Sequence, residues 1–353
     1  MQNKNIAFCI RANYRSAPGG DTVQMNVWTK ILRQLGNAVS IFPGMVTPEN
    51  LRNMDAVFIW HLERLHESFQ PWSAARHLHK PIFLVPTYWR PGDGMVSGQH
   101  RLREQVALWL RLLCQCDAAA TAMRFRSWSS CRKRLLTQST RLLVNSESER
   151  NLLIVEGASP EDIIVIPNVI NTEEIDAIPV EPWARRQGIL CIGHFCPRKN
   201  QYELIRAVRH SNFPITFFGT ARPMHKVYYT LCRKAAGTMH HFPGSLPHTE
   251  LLQELAKARL CVSVSHAETP GISNLEAAAL GCNLLLPPLE PIQEYFKAGA
   301  YYSTPKKKDF QDLLLQLTSQ PPQPGLRRHI RKHYCETILI KKFKALTLPE
   351  TFS

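Results

Sequence analysis

The sequence predicts an α/β protein of two doubly wound domains, and three observations carry that reading. Short apolar runs alternate with segments of helical period. The alternation stops at a proline-bracketed stretch near residues 167–183 and then starts again. The 353 residues give room for two domains of about 150 residues each.

Taken in order, Ile6 to Ile10 is a short apolar run, and Val23, Val27, Ile31 and Leu35 mark a helix over 23–35. Ala38–Phe42, Ala56–Trp60 and Pro81–Val85 read as three strands in succession, followed by a helix over Val96–Cys116. Arg141–Val144 is a strand, a helix starts near Ser146 or Ser148, and Asp162–Ile166 is the next strand. Pro167, Pro179 and Pro182 then bracket Asn168–Trp183, which shows little periodicity and reads as the domain boundary. The second series has strands at Ile189–Ile192, Ile215–Phe218, His240–Phe242, Leu260–Val264 and Asn283–Leu286. Its helices fall at Gln201–Arg209, Lys226–Ala236, Thr249–Ala258 and Asn274–Leu280. The tail from Leu326 to Leu346 is a basic helical segment.

Hydrophobic residues at 44% and charged residues at 20% are ordinary globular composition, which excludes disorder, collagen and coiled coil as dominant classes. Lys and Arg number 43 against 28 Asp and Glu, so the net charge is 43 − 28 = +15. That balance favours an anion: a nucleotide, a nucleic acid or an acidic membrane surface. A solvated basic surface explains it as well, although Arg101 to Arg150 is denser in cations than the rest. No nucleic-acid-binding motif accompanies the charge, so no nucleic acid partner is expected. The ten cysteines form no C-x2-C pair, and Cys191 and Cys261 lie inside apolar runs as small buried hydrophobes. No run of 18 apolar residues and no secretory leader is seen, so the expected compartment is a reducing cytoplasm.

Ligands of open α/β sheets sit at the carboxyl ends of strands, and with two such domains the cleft between them is the natural place. Three loops after strands carry chemistry. His266–Gly281 holds Glu268 in a loop, Gly271 where backbone can approach a ligand closely, and Glu276 in or near the first turn of a helix that closes at Gly281. That helix N-terminus offers free N–H groups for a phosphate or sugar oxygen, and a carboxylate there can accept hydrogen bonds from two vicinal hydroxyls. On spacing alone, Glu276 serves equally to complement the helix dipole. Gly193–Gln201 supplies two cations, Arg198 and Lys199, suited to the charge that grows on a departing diphosphate. Ser16–Gln24 is a Gly-rich turn in which Asp21 or Thr22 caps the following helix. It is neither a dinucleotide fingerprint nor a P-loop.

Glu268-x7-Glu276, with Gly271 between and Glu276-Ala-Ala-Ala-Leu-Gly281 after it, resembles glycosyltransferase family 4 (group 1) of the GT-B fold. The resemblance implies that Glu276 holds the nucleotide ribose and Glu268 contacts the donor sugar. Backbone N–H groups of Gly271, Ile272, Ser273 and Asn274 would hold the sugar and diphosphate. Lys199 matches the family lysine on the diphosphate, beside Arg198, while His194 stands where arginine is usual. Gly19 and Gly20 match a loop that faces the diphosphate, with Asp21 and Thr22 carried along, and Phe242-Pro243-Gly244 resembles the loop bordering the base. Val144–Glu149 and Ile166–Asn171 also match, the latter with Val169 in place of glycine. Between Trp60 and Thr140, where acceptors bind in this fold, the likeness thins; His61, Tyr88 and Trp89 are the sugar-contact candidates there.

The resemblance thus implies two Rossmann-like domains facing across a cleft. Residues 1–170 form the acceptor side, with a C-terminal helix of about 330–353 packing back on it, and 171–329 form the donor side. It implies a retaining transferase needing no metal or other cofactor. Such an enzyme would move a hexose from a UDP- or GDP-sugar to a saccharide or lipid-linked acceptor in polysaccharide or glycan biosynthesis, with domain closure bringing Gly19 and Gly20 over the diphosphate and excluding water. Independently of the resemblance, the mix of Arg with Leu, Trp109 and Phe125 over Arg101–Arg134 suits peripheral contact with an anionic membrane as well as a solvated helix with one buried face. Two alternatives stay open. One is a GT-B sugar-nucleotide epimerase. The other is a non-catalytic sugar-nucleotide-binding or scaffold protein with a degenerate site, for which His194 and Val169 speak.

Overall fold

The computed structural model describes residues 3–89 and 128–346. They divide into two compact units, one of residues 3–89, 128–168 and 336–346, the other of residues 169–335.

The first unit runs β1 (Asn5–Ile10), α1 (Gly20–Gln34), β2 (Ala38–Pro43), α2 (Pro48–Leu51), β3 (Ala56–Trp60), α3 (Leu65–His77) and β4 (Ile82–Val85). After residues 90–127 come α4 (Trp128–Gln138), β5 (Arg141–Val144), α5 (Glu147–Val155) and β6 (Ile163–Val165). The strands pair in the order β2-β1-β3-β4-β5-β6, every pair parallel. A parallel sheet is covered on both faces, which explains runs such as Ala56-Val-Phe-Ile-Trp60 with no polar alternation. One face packs Ala7, Val57, Ile59, Leu84 and Val144 on Phe69, Trp72 and Leu135. The other stacks Phe8, Phe58 and Phe83, with Phe58 and Phe83 centroids 4.8 Å apart.

The three strands expected in succession are separated by helices α2 and α3. Pro71 in the middle of α3 breaks the helical signal, and its polar Glu67, Ser68 and Gln70 obscure the apolar stripe of Leu65, Phe69, Trp72 and Ala75. Gln70 is buried because its carbonyl accepts the Val46 N–H at 2.8 Å. The helix expected over Val96–Cys116 lies outside the described residues.

The second unit contains α6 (Thr172–Asp176), β7 (Ile189–Ile192), α7 (Gln201–Val208), β8 (Ile215–Phe218), α8 (Lys226–Ala235), β9 (His240–Gly244), α9 (His248–Lys257), β10 (Leu260–Val262), α10 (Ile272–Ala279), β11 (Asn283–Leu286), α11 (Glu290–Phe296), β12 (Tyr301–Tyr302), α12 (Phe310–Ser319) and α13 (Pro324–His333). Its strand order is β12-β11-β10-β7-β8-β9, again all parallel. The proline-bracketed stretch contains α6, capped by Asn171 through the Glu174 N–H. The tail is two helices: α13 in the second unit, and α14 (Glu336–Ala345) in the first. They part at Tyr334–Cys335, where Ile170 and Cys335 bridge.

α14 docks on α1 through Phe343, fully buried, with its ring centroid 5.2 Å from Trp28. Lys30 and Glu336 add an ion pair at 3.4 Å. Replacing Phe343 by Ala removes the ring that covers Trp28, and chemical denaturation should show a loss of about 3–5 kcal/mol in the first unit.

Candidate functional site

In each sheet the chain reverses its direction of strand addition once. Ligands bind where the carboxyl ends of the two diverging strands splay their loops apart. In the second unit the first strand, β7, lies between β8 and β10, so the switch point is β7/β10. The loops after those two strands are 193–200 and 263–271, the two loops that the sequence marked.

They are stitched together. The His266 N–H donates to the Arg198 carbonyl at 2.8 Å, and the Arg198 guanidinium donates to the Ala267 carbonyl at 2.5 Å. Lys199 Nζ donates to Glu268 Oε2, Arg198 stands 3.5 Å from the same oxygen, and Ser265 Oγ donates to it at 3.3 Å. The Glu268 side chain is only 9% exposed. Burial alone would raise its pKa; the charges of Lys199 and Arg198, with hydrogen bonds from Lys199 and Ser265, outweigh this and hold it below the usual carboxylate range. Two cations on one carboxylate leave the cluster positive.

Gly193 and Gly219 let the β7 and β8 loops touch. A Cβ on Gly219, at φ +144, would meet the Gly193 carbonyl oxygen at 2.1 Å. His194 follows, its Nδ1 3.3 Å from the Thr220 carbonyl. Gly244 closes β9, its carbonyl accepting the Gly219 N–H at 2.8 Å.

Gly271 caps α10 at φ +75, with its would-be Cβ 2.6 Å from Asn274 Nδ2. Ile272 and Ser273 open the helix, so their N–H groups have no partner within it. Asn274 is different from the expectation. Its N–H donates to the Gly271 carbonyl at 3.0 Å and its side-chain amide to the Pro270 carbonyl at 2.9 Å, so it braces the turn. Glu276 is the fifth residue of the helix, just past the first turn, in or near which it was expected. It is buried, and its Oε1 is 2.7 Å from His248 Nε2. His248 Nδ1 lies 3.1 Å from Glu174 Oε2. Sequence reasoning missed His248, Glu174 and Ser265; His248, opening α9 just after Gly244, carries no motif of its own.

The first unit has its own switch point at β1/β3. Gly19 follows β1 and is the N-cap of α1, so neither Asp21 nor Thr22 is the cap; Thr22 Oγ1 instead reaches back to the Gly19 N–H at 3.4 Å. Gly20 is the first helical residue. Asp21 is held by Arg11, 2.5 Å from its Nε, and by His61 Nε2 at 3.0 Å. Burial would raise the Asp21 pKa; hydrogen bonds and charges from His61 and Arg11 outweigh it and hold the carboxyl well below the usual range. His61 follows β3 at φ +73. Tyr88 is not a sugar platform: it is 2% exposed, its hydroxyl donates to Glu156 at 2.9 Å, and Arg132 covers its ring at 4.6 Å. It sits there because its N–H donates to the buried Glu149 carboxylate at 2.6 Å. Trp89, beside it, is half-buried.

Among the described residues, no group of three or more His, Cys, Asp or Glu side chains is arranged to hold a metal ion, and no helix is long and apolar enough to cross a membrane.

Residues 178–333 match the family model described as glycosyl transferases group 1, a segment that lies inside the second unit. The structure is similar to sucrose-phosphate synthase from Thermosynechococcus elongatus, with a TM-score of 0.73 at 15% identity over 97% of this chain and 98% of that one. It is similar to Anabaena HepE in complex with UDP and glucose, with a TM-score of 0.71 at 14% identity over 98% and 99%. The lipopolysaccharide outer core galactosyltransferase WaaB in its apo form gives a TM-score of 0.58 at 13% identity over 96% and 98%. A search of curated protein sequences gave no match. At these identities the likeness establishes the fold: the α/β, two-Rossmann-unit architecture of the GT-B class.

The His248–Glu276 contact has a pH signature. The hydrogen bond that His248 Nε2–H donates to Glu276, opposed by burial and helped by the charges of Glu276 and Glu174, raises the His248 pKa above its ordinary 6.5. Its stabilising contribution is therefore complete below about pH 6.5 and is lost as pH rises through the higher folded-state value. Thermal melts of wild type and His248→Gln should differ at about pH 6 and converge by about pH 9.

Proposed function

We propose that the protein is a retaining, metal-independent glycosyltransferase. It moves a sugar from a UDP- or GDP-sugar to a saccharide or lipid-linked acceptor, in the assembly of a surface polysaccharide or other glycan. The observation that carries this is the β7/β10 switch point. A positively charged Lys199–Arg198–Glu268 cluster lies there, in the same unit as a buried carboxylate, Glu276, near a helix N-terminus, all inside the segment that matches the group 1 family model. Support for a UDP-linked donor comes from HepE, whose structure holds UDP and glucose.

In this reading Glu276 accepts hydrogen bonds from the ribose hydroxyls, with His248 fixing its rotamer through Oε1. The N–H groups of Ile272 and Ser273 and the dipole of α10 receive the diphosphate. Lys199 and Arg198 offset the negative charge that develops there as the glycosidic bond breaks, in a site whose groups are already oriented. Glu268 holds the two cations in place and contacts the donor sugar. His61 and Trp89 of the first unit are the acceptor candidates. The protein works in the cytoplasm, at the inner face of the membrane. A sugar-nucleotide-binding protein without transfer is the second reading, favoured by His194 at the position where the family carries arginine.

The test is turnover. Wild type incubated with UDP-sugars and GDP-sugars and an acceptor panel should release one nucleoside diphosphate, and proton NMR of the product should show the anomeric configuration of the donor. Lys199→Ala should lower kcat by about 10²-fold or more with a smaller change in KM, the pattern of a lost transition-state contact. Nucleotide binding without transfer to any acceptor would favour the second reading.

A further inference from the structure

Six large hydrophobic side chains are exposed among the described residues, and three of them fall within one short stretch: Met224, 56% exposed, Val227, 75%, and Leu231, 49%. Val227 and Leu231 are one turn apart on α8, and Met224 lies one turn before them, so they form a stripe. Scattered single exposures are normal on a protein surface; a stripe on one helix face is not. The opposite face of α8 is anchored by Cys232, fully buried, and by Tyr228 and Tyr229 against the core. The stripe is therefore fixed outward.

Its surroundings are cationic. From Leu204 to Thr249 the chain contains no Asp or Glu, against Arg206, Arg209, Arg222, Lys226, Arg233 and Lys234. Lys226, Arg233 and Lys234 are exposed on α8 itself. The nearest carboxylate in sequence, Glu203 on α7, faces Arg206 at 3.9 Å. An exposed apolar stripe in a stretch rich in cations and free of carboxylates matches the boundary of an anionic bilayer, where the apolar groups enter the acyl edge and the cations meet lipid phosphates. An acidic protein partner would use the cations but leave Met224, Val227 and Leu231 without a counterpart.

We propose that Val227 and Leu231 on α8, with Met224 in the turn just before the helix, form a docking surface for an anionic lipid bilayer. The helix begins just after the loop that follows β8, on the carboxyl edge of the sheet, the edge that also carries Lys199 and Glu268. Docking through α8 therefore sets that edge of the second unit close to the lipid. The inference does not depend on the donor-site reading.

Vesicle flotation of the full chain tests it. Wild type should float with phosphatidylcholine vesicles containing about one third phosphatidylglycerol and not with pure phosphatidylcholine; raising salt from about 0.1 M to about 0.5 M should weaken binding severalfold. The double variant Val227→Asp, Leu231→Asp should bind at least about tenfold less, and Lys226→Glu, Lys234→Glu likewise. Both pairs are exposed, so the thermal midpoint should stay within a few degrees of wild type. Equal flotation of wild type and the aspartate variant, or no flotation of wild type, overturns the proposal. So does a wild-type dimer that the aspartate variant converts to monomer, since a second copy then covers the face.

Discussion

A buried carboxylate between two strands that are not consecutive in the chain organises the second unit. Glu268 loses most of its hydration where the loops after β7 and β10 meet, and an unpaired carboxylate there would be costly. Lys199 and Arg198 remove that cost only if the two loops stay in contact, so the ion cluster and the loop geometry require each other. The parallel order β10-β7-β8 makes the meeting possible, because it sets the carboxyl ends of β7 and β10 side by side. Fold and charge therefore fix the same point. On the proposed transferase reading, a site that receives a departing diphosphate without reorganising needs that combination: cations held in advance, with one balancing carboxylate behind them.

The first unit shows a related device with a different outcome. Arg11 is almost fully buried, and its guanidinium is used by Asp21, Asn13 and Thr22. Asp21 in turn fixes His61 across the β1/β3 switch point. A Gly-Gly turn would be loose on its own; here the residue just after it is clamped to two strands. The backbone of His61 is held in the left-handed region at φ +73, which persists only where the surroundings over-determine it.

How far the sequence discloses this depends on how local each signal is. Strands buried on both faces, such as Ala56–Trp60 and Leu260–Val262, are apolar throughout and stand out. Glu268 and Glu276 are visible because their spacing is part of one loop and helix. Helix α3 is hidden because Pro71 and a buried Gln70 mask its apolar stripe, the glutamine being explained only by a partner 24 residues away. β12 is two residues long and leaves no pattern. Tyr88 reads as a sugar-contact candidate because it follows a strand, yet Glu149, 61 residues later, draws its N–H inward. His248 belongs to the site only through Glu276, 28 residues on, a contact that no local window contains.

The account stands on Glu276 being a nucleotide ligand and not just a partner of His248. Isothermal titration of UDP and GDP into the full chain and into Glu276→Ala addresses that directly. Wild type should bind one of the two diphosphates, and the variant, still folded, should bind it at least about tenfold more weakly, the loss of a hydrogen-bonded charged contact. Equal affinity in the two proteins, or no binding of either nucleotide by folded wild type, would contradict the account.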